Sequence, residues 1–320
     1  MRIALTYNLR RSRGEAHAEL DSAATIRAIS RMLGELGHTV VRVEVSGEPE
    51  RVIGRLRAIF PAAGSESPPL HLGLDLVFNL AEGLHGTFRE AFWPAVFEQL
   101  HLPHTGSGPS VLALCLDKAL ANRVVAAAGV RVPRGQLVRN IDELGDLPAP
   151  LIVKPNFEGS SKGLRLVTRD VRSAVAEVLA HYPAGVLVEE YVEGADVAVG
   201  WVEGLGILPA IHYACDRPIL DREAKVRGIP VEIAPLSAQL RLAAERAFAA
   251  LGVAGFGRAD FRVTPDGEPV FLEMNPLASL DPEEGDLYSA AEAIGVSRRG
   301  VIDAIATAAA PRPALRRRAR

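Results

Sequence analysis

Hydrophobic and polar positions divide the first eighty residues into strands and a helix. Apolar residues dominate 1–7 and 38–45, whereas those of 23–36 recur at the spacing of an amphipathic helix. A further strand is expected at 74–79, after a Pro/Gly/Ser-rich loop at 61–69. This order of elements predicts that the chain begins as an α/β unit.

The remainder of the chain is predicted to form two α+β lobes. Helices are expected at 111–128, 171–181 and 237–251. Short strands are expected near Gln136, Leu151 and Leu164. We therefore predict an N-terminal α/β domain at 1–107, a central lobe at 108–184, a C-terminal lobe at 185–310 and a basic tail at 311–320.

Two strands near the C-terminal end, at 257–261 and 271–275, carry polar side chains two residues apart. Because successive side chains of a strand point to opposite faces, the polar groups of each strand share one face. The turn at 264–267, with the sequence TPDG, folds the strands back on each other. If the two polar faces coincide, they bring together Arg258, Asp260, Glu273 and Asn275.

These four side chains suit a site for magnesium and phosphate. Mg²⁺ is a hard ion, usually held by one or two carboxylates and the phosphates of its nucleotide. Asp260, Glu273 and Asn275 are therefore candidate metal ligands, and Arg258 would face a phosphate or a developing oxyanion. The alternative for this hairpin, taken alone, is a surface hairpin whose charged side chains face water.

A glycine- and serine-rich stretch between two further strands favours the phosphate interpretation. Lys154 ends an apolar run and is followed by the sequence NFEGSSKG at 156–163. Backbone N–H groups and hydroxyls of such a loop reach phosphate oxygens, and the lysine adds positive charge. The loop joins two strands and lacks the Walker pattern. A glycine-rich hairpin turn without a ligand is the alternative.

Together these segments resemble the ATP-grasp ligases. The motifs are KP at 154–155 with EGSSKG at 158–163, VEEYVEG at 188–194, GFGRAD at 255–260, LEMN at 272–275, and TGSG at 105–108 with LDK at 116–118. In type and order they are similar to those of the D-alanine–D-alanine ligase family, from about residue 78 to residue 275. The resemblance implies an ATP-grasp fold with an N-terminal α/β domain and with ATP bound between two α+β lobes.

The resemblance also implies positions for a nucleotide. Lys118 and Lys154 would contact the phosphates, and Asp196 would bind the ribose hydroxyls. Lys225 would belong to a second mobile loop that closes the site. Ser160 and Ser161 would lie in the loop that closes over the γ-phosphate. The hinge against which adenine packs would contain Glu189, Glu190, Tyr191 and Val192.

The implied chemistry follows from the poor reactivity of a carboxylate. ATP converts the carboxylate to an acyl phosphate, and an amine then displaces phosphate to form a peptide-like bond, with ADP as the other product. Negative charge develops on oxygens in both steps, so metal ions, lysines and an arginine serve this chemistry. Arg258, Lys225 and Ser160 are the catalytic candidates, Ser160 as a hydrogen-bonding group because no Gly-x-Ser-x-Gly elbow surrounds it. The implied cofactors are ATP and Mg²⁺, with two ions expected and Mn²⁺ as an alternative.

The N-terminal loop would hold the first substrate. The family places a glutamate here for the ammonium of that substrate, and the match is Glu19, with Glu15 second. The alternative is that both carboxylates solvate a loop. Three arginines at positions 10, 11 and 13 would bind an anion, hold a lid or face solvent. The segment 81–90, which contains a histidine-glycine motif at 85–86, supplies the further pocket candidates Glu82, Arg89 and Glu90.

Two departures from the family concern the second substrate. Val226 stands where the dipeptide ligases commonly have a tyrosine that forms a hydrogen-bonded triad with the loop serine and the N-terminal glutamate. A carboxylate-binding serine is not evident after Asn275, and the acidic run at 283–286 would repel a carboxylate. Ser279 and Asp286 are nevertheless candidate substrate contacts. We therefore expect an acceptor other than D-alanine. The alternatives are a genuine D-alanine–D-alanine ligase and a non-catalytic ATP-binding sensor or scaffold.

Composition limits the other classes of function. The 320 residues are 48% hydrophobic, enough for buried cores, and the net charge of −3 offers no broad attraction for nucleic acid. Two cysteines suit a reducing cytoplasm, and no long apolar run predicts a membrane span. The expected partners are small-molecule carboxylate and amine substrates, with a homodimer left open. The sequence does not identify either substrate or the role of the basic tail.

Overall fold

The computed structural model describes residues 1–12, 14, 17–59, 74–215 and 217–310, and only the backbone of residues 225–227. Arg13, Glu15, the loop predicted at 61–69 and the basic tail at 311–320 lie outside these residues. Three β-sheets and ten α-helices form within them. No helix in these ranges has the length and hydropathy to span a bilayer.

The first sheet is parallel. Its strands are β1 Arg2–Tyr7, β2 Thr39–Glu44 and β3 Leu76–Leu80, in the order β2-β1-β3. Its helices are α1 Ala23–Glu35, α2 Pro49–Ile59 and α3 Arg89–Gln99. Ser22 caps α1 by accepting a hydrogen bond from the backbone N–H of Thr25, and Ile26, Ile29 and Leu33 are buried on its inner face. The α/β unit predicted for the N-terminus is confirmed.

The second sheet is antiparallel and lies in the central part of the chain. Its strands are β4 Gly135–Val138, β5 Leu151–Pro155, β6 Arg165–Val167 and β7 Val186–Glu190, in the order β4-β7-β5-β6. A 3-10 helix, Ile141–Glu143, follows β4, and the helix α6 Val171–His181 covers the apolar face. β7 begins beyond residue 184, the limit predicted for the central lobe, yet it pairs with β4 and β5. The sheet therefore extends to Glu190.

The single helix predicted at 111–128 is wrong. The structure has two helices instead, α4 Pro109–Leu116 and α5 Lys118–Ala127. Asp117 between them has an extended backbone with ψ 90°, and its side chain caps α5 by accepting a hydrogen bond from the N–H of Leu120. Apolar spacing continues through this position, so periodicity alone does not reveal the cap. The break places Lys118 at the first position of α5.

The third sheet is antiparallel and contains the predicted hairpin. Its strands are β8 Ala195–Val202, β9 Gly206–Tyr213, β10 Val231–Ala234, β11 Phe256–Val263 and β12 Pro269–Asn275, in the order β10-β9-β8-β11-β12. Its helices are α7 Arg222–Arg227, α8 Ala238–Leu251, α9 Asp286–Glu292 and α10 Arg298–Ala309. α5 and α8 pack on one face. On the other face, α9 and α10 share a hydrophobic core with the first sheet, which joins these two parts of the molecule.

Candidate active site

Strands β11 and β12 pair in a register that brings their polar side chains together. Arg258 lies opposite Asn275, and Asp260 lies opposite Glu273. Ala259, between the first two polar residues of β11, is fully buried on the other face. The two polar faces therefore coincide on one rigid ribbon, as the alternation predicts.

Two carboxylates fix the orientation of Arg258. Its Nε and Nη2 donate to the two oxygens of Asp260 at 2.7 and 2.9 Å, and its Nη1 donates to Asp286 at 2.9 Å. The hydroxyl of Tyr213 donates to the same Asp286 oxygen at 2.6 Å. Burial raises the pKa of this phenol well above its ordinary value, so it stays a donor at neutral pH. The guanidinium is thus held from both the hairpin and the start of α9.

Two mostly buried lysines are paired with carboxylates around the hairpin and the second sheet. Lys118 Nζ lies 3.4 Å from Glu273 Oε2 and donates to the carbonyl oxygen of Glu158 at 2.5 Å. Lys154 Nζ lies 2.7 Å from Glu189 Oε2. Only 8% of the Lys118 side chain and 12% of the Lys154 side chain are exposed. Their charges are therefore concentrated in a poorly solvated space.

The loop between β5 and β6 is tied to the N-terminal segment through Glu19. Ser160 and Ser161 have left-handed backbone conformations, with φ 51° and 55°. Glu19 accepts hydrogen bonds from the backbone N–H of Gly159 at 2.7 Å and from Lys162 Nζ at 2.6 Å. Lys162 is not among the predicted site residues, although a lysine within a glycine- and serine-rich loop is a signal for it.

A cleft between the second and third sheets contains most of the predicted nucleotide positions. Its lining includes Lys118, Lys154, Ser161, Glu189, Glu190, Tyr191, Val192, Asp196, Arg258, Asp260 and Glu273. Ile152 and Leu272 add apolar surface. A cavity with apolar walls and a few convergent charged groups is the usual form of a nucleotide site.

The predicted ribose ligand, Asp196, is held in this cleft by an arginine. Its Oδ1 lies 2.9 Å from Nε of Arg262. The guanidinium of Arg262 lies over the ring of Tyr191, 5.4 Å from the centroid, and the Tyr191 hydroxyl donates to the carbonyl oxygen of Pro218 at 3.0 Å. Arg262 is also missing from the predicted site. Its place in β11, two residues after Asp260, is the signal that points to it.

A second cavity contains most of the predicted substrate positions. Its lining includes Glu19, Glu82, Glu90, Ser160, Asn275, Ser279 and Asp286. Lys118, Tyr213, Arg258 and Glu273 line both cavities, so the two spaces meet at the hairpin. Arg89 does not line the second cavity and instead donates to Glu19 at 3.0 Å.

Carboxyl groups dominate the second cavity. Burial and repulsion from Asp281 raise the pKa of Asp21 to about 7. Burial also raises the pKa of Glu90 to about 7, and burial together with repulsion from Glu90 holds the pKa of Glu82 well above its ordinary value. Asp21 and Asp281 are absent from the predicted site because only tertiary packing brings these distant positions together.

Several predicted positions lie apart from this geometry. Glu15 falls outside the described residues, and the side chains at 225 and 226 in α7 are not described. Of the arginine-rich loop, Arg10 lines the second cavity, whereas Arg11 pairs with Glu44 at 2.7 Å on the surface. Ser279 is exposed, and its hydroxyl accepts the N–H of a neighbouring loop residue at 3.2 Å.

The oxygen donors of the hairpin suit a hard divalent cation. Asp260, Glu273 and Asn275 offer two carboxylates and an amide, a set that Mg²⁺ uses together with nucleotide phosphates. Nδ2 of Asn275 donates to Asp260 at 3.1 Å, which turns the amide oxygen away from that carboxylate. Within the described ranges, no group of three or more His, Cys, Asp or Glu residues is suited to a metal ion. Phosphate oxygens would therefore have to complete a metal site here.

Two antiparallel sheets flank a cleft that has lysines along it and a carboxylate-bearing hairpin at its base. This architecture defines an ATP-grasp protein. The family model for the D-ala D-ala ligase C-terminus matches residues 125–305. A D-alanine–D-alanine ligase of Anaeromyxobacter sp. is 33% identical over 295 residues, which are 87% of this chain and 87% of the relative. The chain belongs to the D-alanine–D-alanine ligase family.

Solved structures agree with this fold. The D-alanine–D-alanine ligase from Bacillus anthracis complexed with ATP has a TM-score of 0.73 at 20% identity, covering 97% of each chain. The VanG D-Ala:D-Ser ligase from Enterococcus faecalis has a TM-score of 0.73 at 22% identity, covering 95% of this chain and 98% of that one. The predicted ATP-grasp fold is confirmed. The protein is an ATP-dependent, ADP-forming ligase of the D-alanine–D-alanine ligase type, which makes a peptide-like C–N bond.

Proposed function

We propose that this ligase activates the carboxylate of an amino acid and joins it to an amine other than D-alanine. One observation carries the proposal: the second cavity, by which an acceptor would reach the hairpin, is lined by more carboxyl than basic side chains. The ionised carboxylates of this lining attract an ammonium group and repel the carboxylate of D-alanine. Arg258, which faces this cavity, is paired with Asp260 and Asp286.

Contacts in the cleft support roles toward ATP. Lys118 and Lys154 supply compact positive charges for the phosphates, and the segment 189–192 supplies the surface for adenine. Asp196, oriented by Arg262, accepts hydrogen bonds from the ribose hydroxyls. Ser160 and Ser161 belong to the loop whose backbone N–H groups would reach the γ-phosphate, and the Ser161 hydroxyl donates to the carbonyl oxygen of Leu220 at 2.8 Å.

The hairpin supports both chemical steps. Asp260, Glu273 and Asn275 would hold Mg²⁺, which when bound neutralises phosphate charge during transfer. Arg258, at the meeting point of the two cavities, stabilises the oxyanion that develops when the amine attacks the activated carboxylate. Asp260 and Asp286 keep the guanidinium in place, so little reorganisation is needed as that charge develops.

A genuine D-alanine–D-alanine ligase is the second candidate. The relatives favour it, since the Anaeromyxobacter protein and several others of similar identity are called D-alanine–D-alanine ligases. The two candidates share the activation step and differ only in the group that the second cavity accepts.

The test is a screen of acid and amine pairs with ATP and Mg²⁺, with product mass and orthophosphate as the measured quantities. We expect products with amines that lack a free carboxylate, orthophosphate release that requires both acid and amine, and little product from D-alanine alone. Abundant D-alanyl-D-alanine would replace the proposal with the second candidate. Nucleotide binding without orthophosphate release from any pair would indicate a sensor or scaffold.

A further inference from the structure

Glu19 is surrounded by donors from three different parts of the chain. Its Oε1 accepts from Arg89 Nη2 at 3.0 Å and from the N–H of Gly159 at 2.7 Å, and its Oε2 accepts from Lys162 Nζ at 2.6 Å. All three side chains are well buried, with 13% of Glu19, 8% of Arg89 and 7% of Lys162 exposed. The N-terminal segment, the start of α3 and the β5–β6 loop therefore meet at one carboxylate.

The charge of Glu19 is balanced by its partners within the protein. Its two oxygens accept three hydrogen bonds, two of them from cationic side chains. Although burial alone would raise the pKa of Glu19, Arg89 and Lys162 lower it below its ordinary value, so the group is ionised and neutralised within the protein. A Cβ at Gly159 would collide with Oε1, so the loop backbone approaches closely because glycine stands there.

The same residues hold the loop at several further points. Arg89 Nη1 donates to the carbonyl oxygen of Phe157 at 2.7 Å, and Lys162 Nζ donates to the Glu158 carboxylate at 3.1 Å. The next residues are Ser160 and Ser161, whose left-handed backbone is unfavourable for residues with a side chain. A conformation of this kind persists when surrounding contacts impose it.

Arg89 and Lys162, the cationic partners of Glu19, differ from the hydrogen-bonding groups that the family resemblance implies. There, a loop serine and a tyrosine form a triad with the N-terminal glutamate, and this chain has Val226 at the position of the tyrosine. Among the described side chains, Arg89 and Lys162 form ion pairs with Glu19, and the charge of Lys118 adds to their effect. In this chain, Glu19 is therefore tied to the loop by an ion pair with Lys162 and a hydrogen bond from the backbone of Gly159.

We propose that Arg89 and Lys162 are positioning residues of the phosphate-covering loop, which they hold in place through their ion pairs with Glu19. The proposal rests on the proposed function only in that the loop covers ATP. It predicts that loss of either charge partner loosens the loop and weakens nucleotide binding, while affinity for the carboxylate substrate is retained.

Loop order can be measured without catalysis. We expect backbone amides 157–161 of the free protein to exchange about tenfold faster in Lys162→Met and in Glu19→Gln than in the wild type, because charged hydrogen bonds are lost. The affinity for a non-hydrolysable ATP analogue with Mg²⁺, measured by calorimetry, should fall by about the same factor. Lys162→Arg should retain both properties. Arg165→Met, which breaks the exposed Arg165–Glu177 pair beside the loop, is the matched control and should change neither.

Kinetics separate a positioning role from a substrate contact. Lys162→Met should raise the KM for ATP and leave the KM for the carboxylate substrate within about twofold, because Lys162 does not line the second cavity. A raised KM for the carboxylate substrate alone, with amide exchange and nucleotide affinity as in the wild type, would overturn the proposal. If Lys162→Met does not fold, Glu19→Gln carries the test, since it preserves side-chain volume. Exchange and analogue binding remain decisive even if no ligation is found, so failure of the proposed function is distinguishable.

Discussion

The two cavities that meet at the hairpin differ in how their charges are balanced. In the nucleotide cleft, opposite charges are paired at short distances, as with Lys154 and Glu189 at 2.7 Å and Arg262 and Asp196 at 2.9 Å. In the second cavity, carboxyl groups lie near one another, and burial with repulsion from Asp281 raises the pKa of Asp21 to about 7. The cleft is thus organised before a ligand arrives, whereas the second cavity crowds carboxyl groups that retain protons near neutral pH and whose ionised form an incoming cation would stabilise.

The largest effect is expected at Glu273, which lines both cavities. Glu273→Gln removes the charge that pairs with Lys118 and that would bind the metal, so we expect kcat for ligation to fall roughly a thousandfold. Product formation with the best acid and amine pair is the measurement. Glu268→Gln, which changes an exposed residue at the other end of the hairpin, is the control and should keep normal activity. Near-normal ligation by Glu273→Gln would refute the assigned metal site.

A second prediction tests whether the cleft depends on its internal pairing. Lys154→Met leaves the Glu189 carboxylate, whose side chain is 3% exposed, without its lysine partner. Breaking a buried pair by removing one partner costs about 3 kcal/mol, so the free energy of unfolding in urea should fall by that amount. Adding Glu189→Gln to this variant should recover part of the loss. The exposed-pair variant Arg165→Met should lose at most about 1 kcal/mol. Unchanged stability of Lys154→Met would show that the cleft is not held by this pair.

The smallest effect concerns pH and the second cavity. The pKa of Asp21 rises from 3.8 to about 7 on folding, so the folded state binds its proton more tightly than the unfolded state. The contribution of Asp21 to the free energy of unfolding is therefore most favourable at low pH. It falls as pH rises from about 4 to about 7 and is constant above that range. Asp21→Asn lacks this dependence. Relative to the wild type it should gain on the order of 2 kcal/mol between pH 5 and pH 8, measured by urea unfolding.

An exposed aspartate provides the comparison for this prediction. Asp142, whose side chain is 79% exposed, pairs with Arg172 on the surface, so Asp142→Asn should follow the wild type at both pH values. If Asp21→Asn loses as much stability as the wild type between pH 5 and pH 8, the pKa of Asp21 is not raised by folding as described above. Glu82 and Glu90 contribute with the same sign, so part of the slope should persist in the variant.

Local patterns predicted those parts of the fold and site that depend on neighbouring residues. The hairpin was predictable because a two-residue alternation dictates which side chains share a face, and the pairing of Asp260 with Glu273 follows from it. Helix α6 has the bounds that were predicted, because its apolar residues recur at helical spacing. Helices α4 and α5 were not separated, because the cap at Asp117 interrupts hydrogen bonding without interrupting the apolar pattern.

The sequence by itself determined the fold class, the two faces of the hairpin and the loop that follows Lys154, because these depend on periodicity, turn residues and motif order. Only the tertiary structure decided what Glu19 contacts and that Asp21 lies near Asp281. Glu19 is 140 residues from Gly159 and 143 residues from Lys162 along the chain. Pairings over such separations are set by how the sheets pack, and the packing of two sheets is not encoded in the spacing of residues along either one.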